Sequence, residues 1–409
     1  ALPIYYQICL TNPQVAHIVA QNAIAILRKK PNARYISVSQ NDNDNFCQCE
    51  MCRKAEKEMG RGNLLYSFVN TVADKIKDEF PNVMIHTYAY ETTVECEPIK
   101  LRDNVMLQYC LRYCHGHSLT NPTCRINKIV SEILLNVSAK CKELFIYDYL
   151  SSEAYTFQPV PDIYRMRENM RFLADCKVKG IYAETDIFCL NSPCMEELRD
   201  YLYAKLVWNP YMSEDEYSRH ITEFLQAYYG PGWRHVKNYL DIWVNETRDT
   251  HYESVTSVVL GEDGHSLIGE DGKTLRAAFI PKEKLEKVCA QLESELDQAQ
   301  DNATAEYRNR IEILRVAPLW NRLYHTMDNI LQNGAEEDKK KAIEDNRKLC
   351  SLMRLYCMKY TSFIAMTNTS KMYDDFSFSP KKWQYWGSEK QYADPFSHIL
   401  KIKNTKKEG

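Results

Sequence analysis

The feature that most constrains this chain is a near-strict alternation, over its first 210 residues, of short β-rich runs with amphipathic helical ones. Tyr5–Leu10 reads as a buried strand. Asn12-Pro13 then supplies an N-cap and a first-turn proline, and Val15, Ile18, Val19, Ala23, Ile26 and Leu27 recur at helical spacing to about Lys29. Strands follow at Tyr35 to Gln40, Val83 to Tyr90, Val105 to Leu111, Leu144 to Tyr149 and, opened by Gly180, Ile181 to Asp186. Between them the periodicity predicts helices over 64–76, 126–139 and 163–176, and another from Ser192-Pro193 to about Trp208. Parallel neighbours need a crossover and a helix is the usual one, so this order dictates a parallel sheet covered by helices.

A doubly wound sheet and a (β/α)8-type TIM barrel both satisfy that pattern. No G-x-G-x-x-G or G-x-x-x-x-G-K-[ST] follows any strand, which removes the main signal for nucleotide binding on a doubly wound sheet. Polar groups stand at almost every strand exit instead: Asp42, Tyr90 with Glu91, Arg112 with His115 and His117, Asp148, and Glu184 with Asp186. Barrel enzymes mount their chemistry at such exits. The fold class expected is therefore an α/β TIM barrel over 1–245. Six strands do not close eight, so the first two are expected upstream of Ala1 or from elsewhere. Residues 246–280 carry E-D-G and G-K turn signals and read as a β-hairpin or loop excursion. From 281 to 409, Leu285, Val288, Cys289, Leu292 and Leu296 open a run of amphipathic helices, an accessory helical domain.

Charge narrows the partners. Fifty-two basic and 55 acidic residues nearly cancel to −3, so no basic field recruits nucleic acid. No run of about eighteen apolar residues marks a membrane span. Twenty-eight tyrosines and six tryptophans suit a surface that stacks on sugars, although any one such ring is more often packing. The first residues lack a Met start and a signal-peptide pattern, so the chain is expected to begin after processing or within a longer protein, with an upstream domain as a partner.

Just after the second strand comes C-Q-C-E-M-C, a turn-rich loop with Cys47, Cys49 and Cys52 in C-x-C-x-x-C spacing. These thiols could ligate a structural zinc, with a fourth ligand from Cys114, His115 or His117 on another strand exit. A disulfide and free thiols are the alternatives, and the total of fifteen cysteines, an odd number, leaves at least one without a partner in the chain. A redox role would need an exposed low-pKa cysteine, for which only Cys49 to Cys52 before Arg53 qualifies.

Several motifs carry a family resemblance: S-V-S-Q-N-D (37–42), C-Q-C-E-M-C (47–52), L-L-Y-S-F-V-N-T-V-A (64–73), T-Y-A-Y (87–90), I-Y-D-Y (146–149), G-I-Y-A-E-T-D (180–186), A-K-L-V-W-N-P (204–210) and F-L-Q-A-Y-Y-G (224–230). Together they resemble the bacterial Domain of Unknown Function 4838 family, barrel proteins of the glycoside hydrolase superclan similar to α-glucuronidases. The resemblance implies a carbohydrate-active barrel and favours a periplasmic or secreted location. With two strands upstream, the strand ending in Asp42 becomes the fourth, where related glycosidases keep a catalytic carboxylate. Those relatives often pair acids there, whereas Asn41 and Asn43 flank Asp42 in this chain.

Glycosidic hydrolysis needs one protonated carboxyl and a second group as base or nucleophile, and no cofactor. Asp42, Glu184 and Asp148 are the candidates, with partial burial expected to raise Glu184 toward the acid role. Each has a bland alternative as a structural carboxylate capping a loop. Substrate contacts are expected from Asn41, Tyr88, Tyr90, Arg112, His115, His117, Tyr149 and Trp208. Arg112 could clamp a uronic acid carboxylate or pair with a rim acid, and Trp208 could equally anchor a helix end in the core. The reading is a glycoside hydrolase acting on an oligo- or polysaccharide; the alternative is a non-catalytic glycan-binding protein on the same scaffold.

Overall fold

A computed structural model describes residues 6–150, 162–185, 193–246 and 280–322, with isolated positions at 159, 160, 248, 250, 251, 325, 341, 344, 345, 348, 349, 351 and 352. The first helix, α1 (Pro13–Lys29), starts where the Asn12 side chain accepts from the Gln14 N–H at 2.9 Å, with proline in the first turn. Its inner face is Ala16, Ala20, Ala23 and Leu27, small enough to bring it close against α3 (Arg61–Ile76). Between them lie β1 (Tyr35–Ser37) and α2 (Glu50–Met59). The chain continues through β2 (Met84–Ala89), β3 (Val105–Leu111), α4 (Arg125–Lys140), β4 (Glu143–Tyr149), α5 (Met166–Asp175) and β5 (Gly180–Glu184).

All four strand pairings are parallel and the spatial order β1-β2-β3-β4-β5 repeats the chain order, the arrangement of half a barrel. The expected strand at Tyr5–Leu10 is absent from the described residues 6–10. Gln7 instead ties this segment to the loop after β1: its N–H donates to Asn45 O at 3.0 Å and its side-chain amide to Asn41 O and Asn43 O at 2.8 and 2.7 Å. The cysteine loop also differs from expectation, because α2 begins inside it. Its sequence is charged helix formers with a weak apolar stripe, so periodicity did not mark it.

Strand alternation sorts the sheet into two faces. On one, Ile85, Val105, Leu107, Tyr109, Leu111, Leu144 and Ile146 are buried in a core completed by α1, α3 and α4. Each such side chain contributes on the order of 1.5–3 kcal/mol through removal from water. The other, concave face carries Ser37, His86, Tyr88, Gln108, Phe145, Tyr147, Tyr149, Tyr182 and Glu184, most of them half-buried. Phe145 lies over Gly180 so closely that a Cβ there would meet its ring at 2.6 Å.

A second core gathers α5, α6 (Glu196–Trp208), α7 (Glu214–Tyr229), α8 (Trp233–Glu246), α9 (Leu285–Asn302) and α10 (Ala305–Glu312). Ser213 caps α7 by accepting from Glu216 N. Gly230 ends it with φ +61°, packed under the Tyr307 ring, where a side chain has neither the dihedral nor the room. Trp243 is the largest fully buried side chain among the described residues, and Trp243→Ala would cost about 3–5 kcal/mol. Most of 246–280, Asp186, and everything after 352 lie outside the described residues.

Candidate active site and thiol clusters

The concave face is a polar and aromatic surface held together across strands. His86 Nδ1 lies 3.0 Å from Ser37 Oγ on β1 and its Nε2 2.9 Å from Gln108 Oε1 on β3, and burial lowers its pKa. Toward the C-terminal rim, Tyr147 donates its hydroxyl to Glu184 Oε2 at 2.8 Å, and its ring centroid lies 4.9 Å from that of Tyr149 and 4.7 Å from that of Tyr182. Tyr182 is 57% exposed.

At the other end of the rim, Tyr90 donates to Asp42 in the loop after β1. Burial, then Glu91 and Asp42, push the Tyr90 hydroxyl well above its ordinary pKa. Glu91 follows with φ +48°, an unusual conformation for a residue with a side chain, and pairs with the buried Arg112 at the end of β3. Between the sequence alternatives for Arg112, the ion pair with a rim acid is what the structure contains. Asn41 is exposed, and its side chain donates to Tyr6 O at 2.9 Å. Asp42 and Glu184 therefore stand at opposite ends of the five-stranded rim, beyond the two edge strands.

Four expected site residues lie elsewhere: His117 joins a thiol cluster, and Asp148, His115 and Trp208 leave the concave face. Asp148 is a register step from Tyr147 and Tyr149, so alternation turns it to the helix-covered face. It is 3% exposed and accepts from Tyr203 of α6 at 2.7 Å; burial raises its pKa despite that hydrogen bond. His115, 1% exposed, belongs to the same side, stacked on Tyr113 with Nδ1 3.5 Å from Asp162. Asp162 also receives Arg199 through Nε and Nη2 at 3.0 and 2.9 Å, and Arg199 reaches Glu196. Burial alone would raise Asp162, but Arg199 and His115 outweigh it and hold the carboxyl below the usual range. This is a buried electrostatic clamp between the rim and α6. Trp208, 91% exposed, ends α6, which starts beyond the C-terminal end of β5 and returns along the sheet, so it sits away from the rim and outside the core.

Six of the described cysteines assemble into two clusters. In the first, Cys47, Cys49 and Cys52 are joined by Cys9, all four sulfurs lying within 4.8 Å of one another. Cys9 Sγ is 3.6 Å from Cys52 Sγ and 3.9 Å from Cys49 Sγ. Cys49 caps α2: the Cys52 N–H donates to its sulfur at 3.4 Å, which pulls the thiol down to about 6. The expected fourth partner, Cys114, is in the second cluster with His117, Cys124 and His251. The reason is reach: Gln7 carries Cys9 onto the loop after β1, whereas Cys114 follows β3, two strands away. No disulfide joins the described cysteines.

In the second cluster Cys114 Sγ lies 3.6 Å from Nδ1 of both His117 and His251, and Cys124 Sγ 3.6 Å from His251 Nδ1. The Cys114 thiol, followed by both histidines, draws Cys124 down to about 3. Each set has the donor types of a tetrahedral zinc site. Cys9, Cys124 and His251 were missed by sequence reasoning, as were His86 and Gln108 on the concave face. The nearest signal was Cys124 following the C-x-x-H of Cys114 and His117.

Residues 3–241 match the model of a family described as Domain of unknown function (DUF4838). The chain belongs to this family. A search of curated proteins returned no match. Among solved structures, this DUF4838 member is similar to a GH138 enzyme targeting pectin rhamnogalacturonan II, with 10% identity and a TM-score of 0.46 over 96% of this chain and 51% of that one. It is also similar to a Thermobaculum terrenum O-GlcNAc hydrolase variant, with 10% identity and a TM-score of 0.39 over 85% and 71% of the two chains. A third is a GH89 protein from Clostridium perfringens in complex with GlcNAc-alpha-1,4-galactose, with 13% identity and a TM-score of 0.35 over 71% and 31%. The chain spans about half the length of the first of these.

Proposed function

We propose that the concave rim binds an oligo- or polysaccharide and cleaves a glycosidic bond in it. The observation that carries this reading is the half-exposed concave face, with tyrosines along its strands and carboxylates at the exits of β1, β2 and β5. Sugar rings present apolar C–H faces that pack on tyrosine, and hydroxyls that hydrogen-bond carboxylates, so such a surface suits a glycan better than a flat apolar ligand. In this reading Tyr88, Tyr149 and Tyr182 form the stacking wall, Asn41 and Tyr90 line it, and Arg112 holds Glu91 in place through their ion pair.

Glu184 and Asp42 are assigned as the acid and the base or nucleophile. Glycosidases hold the two carboxyls about 5–10 Å apart, so this pair requires the sheet to curve until both exits face one bond. Asp148 is not part of the assignment, because it is committed to Tyr203 on the other face. A hydrolysis screen over a panel of plant, host and microbial glycans, including uronic-acid-bearing ones, tests the proposal. A hydrolysed substrate whose turnover falls at least about a hundredfold in Glu184→Gln and in Asp42→Asn supports it. Full activity in both variants overturns the catalytic assignment. Glycans that bind at the rim without being cleaved would establish the non-catalytic reading.

A further inference from the structure

We infer that Cys114, His117, Cys124 and His251 hold one zinc ion in a closed tetrahedral site, separate from the cluster of Cys9, Cys47, Cys49 and Cys52. The geometry carries it. A tetrahedral zinc with Zn–S of about 2.3 Å and Zn–N of about 2.0–2.1 Å sets its sulfur and nitrogen ligands about 3.6 Å apart. Three of the four sulfur-to-nitrogen pairs in the cluster, Cys114 with His117, Cys114 with His251 and Cys124 with His251, are 3.6 Å apart. The same bond lengths put two sulfur ligands about 3.8 Å apart, and in the other cluster Cys9 lies 3.6 and 3.9 Å from Cys52 and Cys49. A disulfide between Cys114 and Cys124 would leave the two histidines without a reason to converge on the same sulfurs.

The surroundings are built for this arrangement. Buried Asn127 accepts from the Cys114 N–H at 2.8 Å and donates to the carbonyls of Cys114, His117 and Ser118 at 2.9–3.0 Å, fixing the turn that presents two of the ligands. Cys124 is the N-cap of α4. His251 arrives from beyond α8, and its segment presses so tightly that a Cβ at Gly116 would lie 1.8 Å from Thr250 O. With four protein ligands there is no open position, so the ion is structural: it staples residues 250 and 251 onto the turn that starts two residues after Arg112. Holding chain segments this far apart in sequence costs loop entropy that metal binding offsets.

The test is metal content of the full-length chain purified in reductant from zinc-containing medium. The parent should carry about two zinc ions. Cys124→Ser and His251→Ala should each lose one, Cys49→Ser the other, and the Cys49→Ser, Cys124→Ser pair both. His251→Cys, which restores a ligand, should regain the second ion and answers the objection that a variant has merely failed to fold. Cobalt exchanged into the parent should show tetrahedral visible bands that lose their Cys2His2 part in His251→Ala. A parent without zinc, a Cys124→Ser protein that holds as many ions as the parent, or a Cys114–Cys124 disulfide found by mass spectrometry overturns the inference.

Discussion

Asp148 and Glu184 end adjacent strands, with Asp148 opposite Ala183 and Tyr149 opposite Glu184 in the register, yet they belong to different parts of the molecule. Glu184 is on the concave face, half-buried, accepting from a tyrosine of the same face. Asp148 is on the helix-covered face, taken up by Tyr203 and close to Asp162, His115 and Arg199. The difference teaches that a carboxylate at a strand end is an active-site candidate only if the pleat turns it inward. One residue of displacement converts a group available to ligand into a component of the scaffold. Arg112 and His115 make a related contrast in the loop after β3, where one pairs with Glu91 at the rim and the other joins the buried clamp.

Breaking the scaffold side should produce the largest effect. Arg199→Met leaves Asp162 buried with its main cation removed, and is expected to destabilise the fold by about 3–5 kcal/mol in denaturant titrations. Because the Asp162 carboxyl is held below its ordinary pKa, its contribution is present above an unfolded value of about 3.9 and fades as pH falls through the folded value. The gap between parent and Arg199→Met should therefore narrow on acidification. A gap independent of pH would mean that the ion pair is not its source.

On the concave side the expected loss is catalytic. Glu184→Gln should lower turnover on a hydrolysed glycan at least about a hundredfold, about 2.7 kcal/mol in barrier, while unfolding stability stays within about 0.5 kcal/mol of the parent. A large stability loss in this variant would remove the contrast between the two faces. Tyr182→Ala comes next: its exposed ring should contribute about 0.5–1.5 kcal/mol of stacking, read as a roughly three- to tenfold rise in KM with kcat unchanged. An unchanged KM would take Tyr182 out of the binding wall.

The smallest effect sharpens the comparison from the buried side. Asp148 is raised by burial, so its favourable contribution exists below the unfolded carboxylate value of about 3.9 and is lost as pH rises through its folded value. Asp148→Asn keeps an acceptor for Tyr203 and removes the buried charge. Its stability at pH 7 should equal or exceed the parent's by up to about 1 kcal/mol, with the difference disappearing near pH 3. A variant that is markedly less stable at pH 7 would show that the ionised form is the one the fold needs.

Much of the architecture was legible because its signals are local. The run Val105–Leu111 has the observed bounds of β3, and Asn12-Pro13 starts α1 where the cap geometry requires. Residues 6–10 misled because an apolar run between polar neighbours looks like a strand whether or not another strand pairs with it. The helix α2 was hidden for the opposite reason, since Glu50–Met59 buries little beyond Cys52 and so leaves almost no apolar period to read.

Local pattern settled the set of parallel strands and covering helices, the polar character of the strand exits, and the thiols of C-Q-C-E-M-C as one group, because each follows from neighbours within a few residues. Packing, by contrast, selects which acids face the rim, and brings Cys9 to one thiol cluster and Cys124 and His251 to the other with Cys114 and His117. Cys114 and His251 stand 137 residues apart, and nothing in a local pattern encodes such a meeting. It is fixed by how strands, crossovers and the segment beyond α8 pack, and by a glycine at 116 that lets one backbone lie directly on another.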